Sequence, residues 1–353
     1  MTTRPGGPGG ALPGLSALPP LPDVLAATWV VTVPLRVRFR GIMAREAMLI
    51  RGPAGWSEFA PFPEYDDREA ATWLMAAIDA AWNGLPPARR DVVPVNATVP
   101  AVPAARVGEV LARYEDTHTA KVKVGEAGQT LSDDVARVNA VRERIPNVRV
   151  DANGAWTVTE AEAAITALTR DGQLEYAEQP CRTVAELAEL RRRLDGRVRI
   201  AADESIRRAT DPFLVVEAGA ADVAVVKVAP LGGPRRVLHI AHELEAAGIP
   251  VVVSSALDTA VGIACGVSVA AALPRLDFAC GLATSRLLAD DVGSPSEWSA
   301  GGLRVHAPVV DTEAAHRLSA PDARRQWWRA RLARCYQVLA SVTPEPLGER
   351  PGG

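Results

Sequence analysis

Two hydrophobic rhythms alternate along this chain. Short apolar runs fall at residues 93–99, 120–124, 148–150, 174–177, 198–201, 223–226, 251–253 and 276–279. Between them lie longer stretches, such as 133–144, 159–168, 184–194 and 235–247, in which apolar residues recur at three and four. Runs that are apolar on both faces suit parallel strands covered by helices, and eight of them predict a closed (β/α) barrel. The start of the chain reads differently. Residues 26–33 and 47–50 read as strands of a small sheet, joined through 35–46, a segment carrying Arg36, Arg38, Arg40 and Arg45. Asp66 and Asp67 then open a helix with Ala70, Trp73, Leu74, Ala77, Ile78 and Ala81 on one face. It stops near Asn83 and Gly84, because the Pro86–Pro87 pair forbids its continuation. Beyond the barrel, Ser319 and Pro321 start a helix whose stripe of Trp328, Leu332, Cys335 and Leu339 returns to the amino-terminal module.

This rhythm divides the chain into four parts. Residues 1–22 hold Pro5, Pro8, Pro13, Pro19, Pro20 and Pro22 among glycines and lack the apolar core of a secretory signal, so they are expected to be a disordered extension. Residues 23–92 form the α+β module, 93–285 the barrel, and 286–353 the returning segment. At 353 residues, 48% hydrophobic and 23% charged, the chain is long enough for one large core and a smaller one. A net charge of -3 gives no electrostatic case for nucleic acid or an anionic membrane. The apolar stretch 248–274 is interrupted by Ser254, Ser255 and Asp258 and changes from strand-like to helix-like, so it reads as a buried strand and helix and not as a bilayer span. Cys181, Cys265, Cys280 and Cys335 show no paired spacing and read as reduced thiols of a cytoplasmic protein. Oligomeric state is not legible.

Candidate chemistry lies at the ends of the apolar runs. Lys123, Asp151, Glu178, Asp203 and Lys227 follow one another at intervals of 28, 27, 25 and 24 residues. Each interval spans about one strand, one helix and two loops, so successive βα units deliver these side chains to one mouth. One acid at a strand end is ordinarily a helix cap. Three acids ending three consecutive strands would repel one another, and a hard divalent cation is the economical explanation. No His or Cys accompanies them, which favours Mg²⁺ over zinc. Lys121 and Lys123 alternate onto the same inward face, where amines are costly unless an anion or chemistry needs them. A desolvated amine beside a cation can serve as a base near neutral pH. A cation with a lysine on either side is machinery for removing the proton next to a substrate carboxylate.

Taken in order, Lys121-Val-Lys123, Asp151-Ala-Asn153, Glu178-Gln-Pro, Asp203-Glu-Ser and Lys227 resemble the signature of the enolase superfamily, muconate-lactonizing subgroup. Residues 148–156, 176–181 and 254–262 are similar, more narrowly, to the o-succinylbenzoate synthases of menaquinone biosynthesis. The resemblance runs from about residue 24 to about residue 340 and is strongest over 120–262. It implies a modified (β/α) TIM barrel under an α+β capping domain formed from both chain ends. The implied activity is a carbon–oxygen lyase reaction, the syn-elimination of water from 2-succinyl-6-hydroxy-2,4-cyclohexadiene-1-carboxylate. By the same resemblance Asp151, Glu178 and Asp203 bind Mg²⁺, Lys123 removes the proton and returns it to the departing hydroxide, and Lys227 stays cationic. Lys121 and Arg149 would meet the substrate carboxylate and ring, Asn153 would support the ligands, and Ser254, Ser255 and Leu257 would receive the succinyl tail. The segment from Arg36 to Arg45 would close over the site, its arginines either meeting the second carboxylate or, as is more usual for such residues, forming a solvated basic loop.

Two other activities stay open. An N-acylamino acid racemase needs the same cation and two opposed lysines, and a binding barrel without catalysis would leave those lysines unexplained. Dipeptide epimerases of the superfamily carry an Asp-x-Asp near residues 279–284, which here lack acids, and the paired His239 and His242 lie three apart on a helix, unlike a catalytic His–Asp pair.

Overall fold

The structure is a computed structural model that describes residues 18–39, 41–207, 211–294 and 297–342. A short helix α1 (Leu21–Ala26) leads into strands β1 (Thr28–Phe39), β2 (Ile42–Gly52) and β3 (Gly55–Phe59) and helix α2 (Asp67–Asn83). Next come β4 (Val92–Pro94), β5 (Ala97–Val99), α3 (Val107–Leu111), β6 (Thr119–Lys123), α4 (Leu131–Arg142), β7 (Asn147–Asp151) and α5 (Val158–Leu168). The alternation continues with β8 (Ala177–Glu178), α6 (Val184–Leu194), β9 (Ile200–Ala202), α7 (Asp211–Glu217), β10 (Val223–Lys227), α8 (Pro234–Ala246), β11 (Val251–Ser254) and α9 (Ala260–Ala272). It ends in β12 (Trp298–Ser299), β13 (Gly302–Arg304), α10 (Thr312–Arg317) and α11 (Asp322–Val342).

Parallel strands β5 to β11 lie side by side in chain order. The sheet closes into a barrel through a segment of only two residues, Cys280 and Gly281. Cys280 bridges Val95 on one side and Gly281 bridges Ser254 on the other, both parallel. This shifts the eighth strand away from residues 276–279. Gly281 has to be bare at this seam, because a Cβ there would lie 2.5 Å from the Ser254 hydroxyl. The run expected as one strand over 93–99 is also split. β4 pairs antiparallel with β13 in a separate three-stranded sheet, and only β5 enters the barrel.

Three of the barrel helices begin with the same local device. Thr130, Thr157 and Thr183 each accept the N–H of the residue three places on, and Asp133, Glu160 and Glu186 each reach back to the cap N–H. Such a capping box satisfies two donors that a helix start otherwise leaves unmatched. It places α4 and α5 one to two residues earlier than apolar periodicity alone suggests.

The β1–β2–β3 sheet is buried on both faces. Val30, Met48, Ile50 and Phe59 pack on α2 and on Trp328, Leu332, Cys335 and Leu339 of α11. On the opposite face Val31, Val33, Leu35, Ala47 and Leu49 pack against Leu257 and Val261 of the barrel. The segment 35–46, expected as a connection, continues the two strands as a long hairpin, with Phe39 opposite Ile42. Residues 1–17 of the expected disordered extension lie outside the described residues. Residues 18–22 are ordered: Leu18 and Leu21 pack on the cap core, and the Tyr336 hydroxyl donates to the Pro19 carbonyl at 2.8 Å. Among the described residues no helix is long and apolar enough to cross a membrane.

Candidate active site

Register brings the charged strand ends together. Lys123 is paired with Asp151 and Asp151 with Glu178 across β6, β7 and β8, so three rungs stand at one level on adjacent strands. Asp203 follows the last residue of β9, and Lys227 ends β10 opposite Ser254. Period-two alternation turns these side chains and Lys121 inward. Lys121, Lys123, Asp151, Asp203 and Lys227 line one pocket, with Asn153, Ser254, Ser255 and Leu257.

Three carboxylates and three ammoniums compensate one another there. Lys121 Nζ lies 2.5 Å from Glu178 Oε1 and 3.0 Å from Asp151 Oδ2. Lys123 Nζ donates to the same Asp151 oxygen at 2.6 Å and to Asn153 Oδ1 at 2.7 Å. At the far side Lys227 donates to Asp203. Burial would raise the Asp151 carboxyl, but Lys121 and Lys123 hold it well below the usual range. Burial likewise opposes the fall of Asp203, which Lys227 and Lys121 impose. Burial pushes Glu178 up to about 7 against the pull of Lys121, with Asp151 and Asp203 adding to the rise. Lys121 is desolvated, yet Asp151 and Glu178 keep it protonated well above its ordinary range.

Among the described residues no three His, Cys, Asp or Glu side chains already surround a single point as metal ligands would. Each of the three acids is turned to an ammonium instead. The donor set nevertheless fits a hard cation. Glu178 is 1% exposed, and its Oε2 is buried with no hydrogen-bond partner. An unmatched buried carboxylate oxygen is expensive, and a cation between the strand ends would satisfy it. Gln179 ties two of the acids together, since its Oε1 accepts the Asp203 N–H at 3.0 Å.

Two of the expected substrate contacts lie outside this pocket. Arg149 is fully buried one layer below the mouth, where it donates to Glu175, the Tyr176 hydroxyl at 2.8 Å and the Ala279 carbonyl at 2.8 Å. It fills the barrel interior and does not line the cavity. Of the cap arginines, Arg36 and Arg38 line an adjoining pocket that shares Phe39, Lys123 and Asn153 with the first. Arg36 donates to the Leu288 carbonyl at 2.8 Å and Arg38 to Gly41 at 3.3 Å, while Arg40 lies outside the described residues. Arg45 is 1% exposed and donates from Nε to the Leu257 carbonyl at 3.3 Å. The hydroxyl of Ser255, for its part, is committed to the Gly281 carbonyl and Thr284 at 2.7 Å each.

The cap instead supplies Phe39, Phe62, Tyr65, Glu69 and Trp73 to the lining, and the barrel adds Arg207. The sequence reading missed these. Trp73 had been read only as a core position; it is 2% exposed and its indole N–H has no partner. Arg207 donates to the Tyr65 hydroxyl at 3.2 Å and to Glu204 at 2.9 Å. Its place four residues past Asp203, just after a strand end, was the available signal.

These features can be compared with known proteins. Residues 104–309 match the family described as enolase C-terminal domain-like, and residues 30–81 the one described as enolase N-terminal domain-like. An o-succinylbenzoate synthase from Mycobacterium tuberculosis is 59% identical over 325 residues, covering 92% of this chain and 98% of the relative. One from Mycobacterium marinum is 58% identical over 319 residues, covering 90% and 96%. The chain belongs to the o-succinylbenzoate synthase family. Within the wider enolase superfamily its fold is similar to a muconate lactonizing enzyme from Pseudomonas fluorescens (TM-score 0.72, 23% identity, 83% of this chain and 98% of that one). It is also similar in fold to an N-succinyl Arg/Lys racemase from Bacillus cereus (TM-score 0.69, 18% identity, 83% and 97%). Like other members of the enolase superfamily, this family member is an enzyme whose relatives generally use a divalent metal.

Sharing Trp73 with the first pocket, a smaller one between α2 and α9 is lined by Glu58, Asp258 and Cys265. Burial pushes Glu58 up to about 8, Asp258 adds to the rise, and Thr259 and Arg45 offset part of it. Between the ordinary glutamate range and about pH 8 the folded state therefore holds a proton that the unfolded chain lacks. Stability falls as pH rises through that window. The thermal midpoint of wild type is expected to drop more between pH 5.5 and pH 8.5 than that of Glu58→Gln, and equal drops in thermal unfolding would remove Glu58 from the linkage.

Proposed function

We propose that this enzyme catalyses the syn-dehydration of 2-succinyl-6-hydroxy-2,4-cyclohexadiene-1-carboxylate to 2-succinylbenzoate, the step that its family's name and menaquinone biosynthesis require. The observation that carries the reading is the in-register row Lys123, Asp151 and Glu178 with Lys227 and Asp203 at its far side: the two lysines and two aspartates line one pocket, and Glu178 is joined to it through Lys121. Asp151, Glu178 and Asp203 would hold Mg²⁺, in keeping with an all-oxygen donor set. When bound, the cation supplies positive charge against the second negative charge that develops on the substrate carboxylate.

The chain's own groups do the rest. Lys123, as the neutral amine, takes the proton on the carbon next to the carboxylate; the released electron pair spreads onto that carboxylate and then forms the new ring double bond as the C–O bond breaks. The Lys123 ammonium then returns that proton to the departing hydroxide, so one water leaves and no other reactant is needed. Because one amine serves both steps, proton and hydroxide leave from the same face. Lys227 stays an ammonium opposite Lys123 and offsets the developing charge. Lys121 stands by the carboxylate end, Asn153 orients Lys123 through its Oδ1, and Ser254, Ser255 and Leu257 wall the end that takes the succinyl tail. All four cysteines are unpaired, which suits a cytoplasmic setting.

The opposed lysines also suit a second reading, proton exchange at the α-carbon of N-acyl amino acids, in which Lys123 and Lys227 act as two bases. Purified protein with Mg²⁺ and the cyclohexadiene acid should form the aromatic product with saturation kinetics. Absence of product under those conditions would defeat the dehydratase reading.

A further inference from the structure

Arg45 stands behind both walls of the pocket. Its guanidinium carbon lies 4.2 Å from the centroid of the Phe62 ring, its Nε donates to the Leu257 carbonyl at 3.3 Å, and its Nη2 donates to the Ala60 carbonyl. Phe62 belongs to the cap wall and Leu257 to the barrel wall. The far end of the same barrel loop is held from outside as well. Glu58, from cap strand β3, accepts the Thr259 N–H at 3.0 Å and the Thr259 hydroxyl, and Asp291 accepts the Ala260 N–H at 3.0 Å.

The loop between β11 and α9 needs this support. Leu257 has φ +63°, a left-handed conformation that a non-glycine residue keeps only where its surroundings impose it. Gly262 marks how tightly the two domains meet, because a Cβ there would lie 2.7 Å from Asp258 Cβ and 3.2 Å from Glu58 Cδ.

We propose that Arg45 and Glu58 form a latch through which the cap sheet fixes the 254–259 loop, and with it the pocket end that takes the tail carrying the substrate's second carboxylate. They are positioning residues that act through Leu257 and Thr259. The inference rests on the dehydratase reading for the identity of that tail. It does not depend on it for the mechanical claim that cap residues set the loop.

Arg45→Met, Arg45→Lys and Glu58→Leu test it. In Arg45→Met, KM for the cyclohexadiene acid should rise about tenfold with kcat within about threefold, since the lysines and acids are untouched. Inhibition by 2-succinylbenzoate should weaken by a similar factor, and inhibition by benzoate, which reaches only the carboxylate end, should not change. Arg45→Lys should recover part of the loss. Without any substrate, hydrogen exchange at the Thr259 and Ala260 amides should quicken in Arg45→Met and in Glu58→Leu, which leaves no acceptor for Thr259, relative to wild type. Unchanged KM, or equal weakening of 2-succinylbenzoate and benzoate, would overturn the latch in a folded variant. If wild type turns over no cyclohexadiene acid, the dehydratase reading fails by itself, and the latch then stands or falls on the two amides. If Arg45→Met does not fold, Glu58→Leu decides by the same measurements.

Discussion

Lys123→Ala is expected to lower kcat by about 10³-fold, within the range that a positioned general acid–base contributes, while leaving the fold and metal binding in place. The side chain ends β6 at the pocket and is 13% exposed, so its removal opens no core cavity. Its ammonium also shares Asp151 Oδ2 with Lys121. Removing one of two competing cations from that oxygen should keep the affinity for a divalent ion or raise it. A Mn²⁺ titration alongside the rate measurement separates the two effects. Retained turnover would take Lys123 out of the mechanism, and lost metal binding would make it a structural partner of Asp151.

Withdrawing the metal should cost as much. Charge stabilisation by a bound cation is worth several kcal/mol, and about 4 kcal/mol corresponds to about 10³ in rate. Prolonged treatment with EDTA should therefore reduce turnover by about that factor, and added Mg²⁺ should restore it. Glu178→Gln should behave like partial removal. It keeps the shape of a side chain whose Oε2 has no hydrogen-bond partner but removes the charge that a cation needs. A chelated sample with an unchanged rate would refute the assignment of Asp151, Glu178 and Asp203.

The parts of this structure that were legible in the sequence are those governed by a repeated local rule. The rungs recur once per βα unit, and parallel register then brings Lys123, Asp151 and Glu178 to one level without further information. The eighth strand was misplaced because two residues, Cys280 and Gly281, cannot display a periodicity, and their pairing depends on neighbours far away in sequence. Arg45 looked like a solvent-facing cap arginine because the strand was taken to begin at Ala47. Extended backward by alternation, Arg45, Ala47 and Leu49 share one face, and that face packs on the barrel. Arg149 lies below the mouth for a related reason. Alternation turns both Arg149 and Asp151 inward, but only strand length shows which of them reaches the mouth and which lies a layer below. Tyr65, Trp73 and Arg207 meet at the pocket only through the seating of the cap on the barrel, a contact for which the chain carries no periodic signature.

The central claim is that this pocket eliminates water from a cyclohexadiene dicarboxylate by proton removal next to a carboxylate. The most direct test incubates the Mg²⁺-loaded protein in D₂O with 2-succinyl-6-hydroxy-2,4-cyclohexadiene-1-carboxylate and, separately, with N-succinyl amino acids, following both by NMR. The account predicts rapid appearance of 2-succinylbenzoate from the first and at most slow α-deuterium exchange in the second. Rapid exchange in the amino acids with no 2-succinylbenzoate formed would contradict it.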